Sequence, residues 1–154
     1  MTNLLILKLV HVIAVIIFLG NLTIAPFWKA QADRSKDRIK IAYTLKCIIR
    51  ADRFFTMPAV TLLIIFGIGS GAGVYNFITN GWILWSIILL VVSAGAFMAK
   101  VVPLQKKMLA LADDETKFNW DLYSTLSKQW DLWGSIATIA PWIAVVLMIL
   151  KTNF

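Results

Sequence analysis

The sequence has little of what holds a soluble domain together. Only 15% of its 154 residues are charged while 60% are hydrophobic, against about a quarter charged and half apolar in an average soluble domain. One cysteine, Cys47, excludes an internal disulfide. One histidine, His11, excludes a haem held by two histidines of the same chain. No catalytic triad, carboxylate pair or zinc-ligand spacing is present. Acidic residues are scarce as well, 8 against 15 Lys and Arg, which leaves a net charge of +7. Such a balance can signal nucleic acid, but here the positive charges lie between apolar runs, so no nucleic-acid partner is expected.

What is present is a set of four long apolar runs, at about 4–26, 54–73, 82–103 and 132–150, with a mean hydropathy of +0.79 over the chain. A helix crossing the hydrocarbon core needs roughly 20 such residues. Backbone groups in lipid must be paired within the segment, and no short alternating runs suggest a barrel. The expected fold is all-α: one domain, 1–154, forming an antiparallel four-helix transmembrane bundle. The first run lacks a positive leader and is longer than a signal-peptide core, so it is read as a retained helix.

Lysines and arginines set the orientation. The stretch 27–53 holds eight: Lys29, Arg34, Lys36, Arg38, Lys40, Lys46, Arg50 and Arg53. The stretch 74–81 holds none, and 104–131 holds Lys106, Lys107, Lys117 and Lys128. Stretches 27–53 and 104–131 are therefore placed in the cytoplasm and both termini outside, in a bacterial inner membrane. The bilayer is the first partner, and anionic lipids are a second at the basic first loop. Ile39, Ala42, Leu45, Ile48 and Ile49 fall at helical spacing, as do Phe118, Leu122, Leu126, Trp130 and Trp133. Helices two and four are thus expected to extend into the cytoplasm, with Asp113, Asp114 and Glu115 at the start of the second extension.

Few side chains in the runs carry chemistry. His11 lies about 10 Å inside the outer end of helix one by helix rise, and an ionisable group at that depth is a functional candidate by default. Neutral imidazole ligates haem iron or copper, or passes a proton, so His11 is both the metal and the cofactor candidate; hydrogen bonding to a neighbouring helix is the plain alternative. Lys8, three residues earlier, shares its face and either snorkels to the surface or meets a propionate. Gly67, Gly69, Gly71 and Gly73 end helix two at a similar depth, where small residues admit a helix or a flat ring. Met148 is the one methionine inside the apolar runs placed toward the outer side, and Cys47 lies on the opposite side from His11. Lys128–Asp131, and Asp52 with Arg50 or Arg53, read as structural ion pairs.

Asp52-Arg53-Phe54-Phe55 with Pro58, Pro103-Leu104-Gln105, Trp130 to Gly134, Pro141 and Lys151 together resemble an uncharacterised bacterial family of four-helix integral membrane proteins, the domain of unknown function 2269. A more distant likeness is to the HemJ-type protoporphyrinogen oxidases, four-helix membrane proteins that bind haem b. It is carried by Lys8, His11 and Gly20, by Met57-Pro58-Ala59, by Phe66-Gly67 and by Pro141 to Lys151. The chain departs from that pattern at Ser86, where the likeness would place a lysine, and at Ser135, Thr138 and Ile139, where it would place Arg, Asn and Glu. What the likeness implies is the fold and a haem b site at His11, not the oxidase activity.

Two readings of function follow. One is a haem b protein with a redox or haem-handling role, using His11, Lys8, Gly67 and Gly69. The other is a non-enzymatic, homo-oligomeric membrane protein: a channel, carrier component or assembly partner. The residues assign no reaction to either.

Overall fold

The computed structural model describes residues 2–72, 74–77 and 79–151. Gly73, the last of the glycines noted above, lies outside them. The described residues form helices joined by turns, with no strand, and four rods are each long and apolar enough to cross a membrane.

The first rod is one helix, α1 (Thr2–Arg34). It does not stop at Pro26 as the apolar run suggested. A proline removes one N–H and crowds one carbonyl, and here the rod continues for two more turns. After a link at 35–37, the second rod consists of α2 (Arg38–Ala51), a π-helical turn at Asp52–Thr56, and α3 (Met57–Gly71). Asp37 caps α2, accepting from the Ile39 and Lys40 amides. The third rod repeats this construction with α4 (Gly81–Ala96), a second π turn at Phe97–Val101, and α5 (Val102–Asp113). The fourth is α6 (Trp120–Leu150), capped by Asn119.

Both π turns sit just before a proline near the start of the next helix, Pro58 and Pro103. A proline ring clashes with the carbonyl four residues back, and the wider turn relieves that clash by moving the bond to the fifth: Met57 N–H donates to Asp52 O, and Val102 N–H to Phe97 O.

The stretches read as loops one and three are therefore mostly helix. All four rods, not only the second and fourth, run past the apolar spans at the basic end. Asp113 closes α5, and Asp114 and Glu115 lie in the turn after it rather than at a helix start.

Pairing is by hairpins. α1 packs along α3 and α4 along α6, while α2 meets α5 at the basic end. Contacts run in opposite sense along each pair: His11 meets Leu63 while Asn21 meets Asp52, and Ser86 meets Ala144 while Ser93 meets Ala137. Among the described residues the α3 backbone comes close to no other rod but α1, so the two hairpins join most closely through α1–α6 and through the basic end. The core gathers there, around Ile41, Leu45, Val101, Met108, Ala112 and Trp130. Only 17–28% of each apolar window is buried within the chain, so most of the apolar surface faces lipid.

Candidate functional site

His11 stands half-buried on α1, with its ring turned into α3. Nδ1 lies 2.9 Å from the carbonyl oxygen of Leu63. A carbonyl only accepts, so Nδ1 carries the proton and, in the neutral ring, Nε2 keeps a free lone pair. Gly67 makes room for the ring: a Cβ there would stand 2.9 Å from Cε1 and 3.0 Å from Nδ1 of His11.

The other residues expected at this site are less closely gathered. Gly69 faces Leu7 rather than the histidine, at an ordinary 3.8 Å from where its Cβ would be. Lys8 is exposed and takes part in no ion pair among the described residues. The structure thus brings His11 and Gly67 together and leaves Lys8 and Gly69 beside them.

A second polar site, on which sequence reading placed only an ion pair, lies deeper toward the basic end. Asp52 is 6% exposed, at the first position of the π turn. It pairs with neither Arg50 nor Arg53, both of which point outward. Three neutral donors take their place. Oδ1 accepts from Asn21 Nδ2 at 3.1 Å and Thr56 Oγ1 at 3.0 Å, and Oδ2 accepts from Gln105 Nε2 at 3.0 Å. Asn21 also donates to Thr56 Oγ1 at 2.7 Å. The network ties α1, the first π turn and α5 together. The π turn has a visible effect: Asp52 and Thr56, four apart, both turn inward. Sequence held a signal for this site in three polar residues at the ends of apolar runs, Asn21, Asp52 and Gln105, but not their convergence.

A third cluster closes the basic end. Lys29, counted above among loop charges, is 2% exposed. Its Nζ donates to Asp33 at 2.7 Å, Ser127 at 2.6 Å and Asp131 at 3.1 Å. It also lies 5.0 Å from the centre of the Trp130 ring. Asp131 therefore takes Lys29 rather than Lys128 as its cation. Tyr123 Oη donates to Asp33 at 2.5 Å. Extending α1 through Pro26 is what carries Lys29 to this position.

Cavities are small. One of about 20 Å³ lies among Leu22, Pro26, Asp52, Gln105, Trp130 and Thr138. Another of about 40 Å³ lies among Phe18, Val60, Ser93 and Phe97, where the two hairpins meet. Neither includes His11. No group of three or more His, Cys, Asp or Glu side chains suited to a metal occurs among the described residues.

Four long apolar rods with lipid-facing sides and inward polar clusters define an integral membrane protein of the four-helix type. The chain belongs to the family described as Predicted integral membrane protein (DUF2269), whose profile matches residues 5–152. No curated protein and no solved structure matches the chain.

Proposed function

We propose that this membrane protein binds haem b in the bacterial inner membrane, where Nε2 of His11 would hold the iron. The supporting observation is the hydrogen bond from Nδ1 to Leu63 O, which fixes the ring and its tautomer and leaves Nε2 as the donor. Histidine ligands are commonly held this way by their other nitrogen. The donor chemistry fits the group. The cavities of about 20 and 40 Å³ described above do not hold it, because they lie away from His11 and are far below the several hundred Å³ of a cofactor pocket. A second copy of the chain supplies the other face. Lys8, exposed one turn nearer the outer end, is the cation for a propionate. When bound, the haem supplies one-electron chemistry or is itself the cargo; His11 binds and orients it.

Protein purified from haem-replete cells should show a Soret band that disappears in His11→Ala and weakens in Lys8→Ala. A colourless preparation overturns the reading. It would favour the second one, a non-enzymatic homo-oligomeric channel, carrier component or assembly partner, which the small cavities and apolar outer faces support. Liposome flux and particle size in detergent then separate those roles.

The proposed orientation places the basic end in the cytoplasm and both termini outside, with exposed Lys and Arg side chains against anionic lipid heads. Cys47 is exposed on α2 and is the sole cysteine. A membrane-impermeant maleimide should label it in inverted vesicles and not in intact cells; the converse result reverses the orientation.

A further inference from the structure

The cavity beside Asp52 has an unbalanced account of donors and acceptors. A carboxylate offers about four acceptor positions. Asn21 and Thr56 fill two on Oδ1, and Gln105 fills one on Oδ2. None of these donors is charged, and no Lys, Arg or His nitrogen lies within 4.0 Å of Asp52 among the described residues. Trp130 is 3% exposed, and its indole Nε1 has no hydrogen-bond partner. Buried donors of this kind nearly always find an acceptor. Asp52 and Trp130 line the same cavity of about 20 Å³.

The two mismatches define the guest. It must accept from Trp130 Nε1 and donate to Asp52 Oδ2, and it must be the size of one water. An anion would accept from the indole but oppose the carboxylate. A bare metal cation would suit the carboxylate but meet the indole N–H. Water satisfies both, and it holds an exchangeable proton against a shielded carboxylate that has no counter-ion.

We propose that Asp52 is a proton-binding site of this protein, served by one water held between Trp130 Nε1 and Asp52 Oδ2. The groups facing it are Asn21 from α1, Thr56 from the π turn, Gln105 from α5 and Trp130 from α6. On the Trp130 side, Lys29 lies 5.0 Å from the ring centre and is bonded to Asp33 and to the half-exposed Asp131. A proton reaching the held water adds to its oxygen as another of its protons passes to Oδ2, so the water is left neutral and the carboxylate takes up one proton. The carboxylate becomes a neutral carboxyl, and its new O–H competes with Gln105 Nε2 for the space at Oδ2. Uptake of one proton therefore loosens the tie between α5 and the second rod. This site is independent of His11, so it stands whether or not haem is bound.

The test is infrared difference spectroscopy of the full chain in lipid nanodiscs, titrated from about pH 4 to about pH 9. A carboxyl C=O band should appear on acidification, vanish in Asp52→Asn and shift in frequency in Asp52→Glu. Trp130→Phe keeps a ring and removes the N–H, and it should move the midpoint by about half a pH unit or more. Trp133→Phe should leave it in place. A band that persists unchanged in both Asp52 variants overturns the proposal, as does the lack of any band in the wild type. A midpoint indifferent to Trp130→Phe removes the water from it. If Asp52→Asn does not assemble, Asp52→Glu and Trp130→Phe still decide the outcome.

Discussion

Gly67 and Gly69 are two residues apart on α3, yet the structure gives them different work. A methyl at Gly67 would stand 2.9 Å from the His11 ring, and the ring could escape only by giving up its bond to Leu63 O. Gly67→Ala should cost about 1–2 kcal/mol, the net worth of that bond plus some strain. Gly69→Ala meets only Leu7 at 3.8 Å and gains helix propensity, so it should be neutral or stabilising by up to about 1 kcal/mol. Thermal melts in detergent compare the two. From sequence they were equivalent members of a glycine series, because the spacing of small residues does not say which one a neighbouring ring will cover.

Within elements, the prolines account for much of the polar architecture. Pro141 inside α6 has no N–H for the Ala137 carbonyl, and Ser93 of α4 donates to that carbonyl at 2.6 Å. Ser93→Ala should therefore destabilise the α4–α6 hairpin by about 1–3 kcal/mol by stranding a buried acceptor. In Pro141→Ala, which restores the missing N–H, the same serine change should cost much less; a double-mutant cycle by reversible unfolding reads the difference. The turn between α5 and α6 behaves differently because it lies in water. The Thr116 hydroxyl first, then Lys117, hold the Asp114 carboxyl at about 2, below its usual 3.8. A lowered value means the stabilisation is complete above the unfolded value and is lost as pH falls through the folded one. The Thr116 amide should stay in its folded NMR position at pH 5 and leave it only between about pH 4 and about pH 2.

At the scale of the whole molecule, two hairpins are fastened together at one end. The polar fastening includes Lys29 with Asp33, Ser127 and Asp131, the Asp52 network, and Arg38 donating to Ala112 O at 2.8 Å. Lys29 is the member whose removal should matter most, because it leaves two carboxylates and a tyrosine hydroxyl bond without their cation. Lys29→Met should destabilise the fold by about 2 kcal/mol or more, less than for a fully buried pair because Asp131 is half exposed. Hydrogen exchange should then rise first at 120–133 and in the last two turns of α1, while the α4–α6 contact at Ser86 keeps its protection. Uniform loss across all four rods would show that the hairpins do not open separately.

The sequence by itself determined that this is a lipid-embedded protein of four helices, because the length and apolarity of a run are decided by bilayer thickness and the need to pair backbone groups locally. It also determined the uneven distribution of charge along the chain. What only the tertiary structure decided is which polar groups meet. Pro26 does not end α1, so Lys29 is buried; a π turn rotates Asp52 inward, away from the arginines beside it in sequence; and Trp130 brings an unpaired N–H to the same cavity. These outcomes depend on helix continuation, rotation and crossing between segments 30 to 100 residues apart, where a shift of one residue turns a side chain by about 100°. Local periodicity carries no information about that rotation.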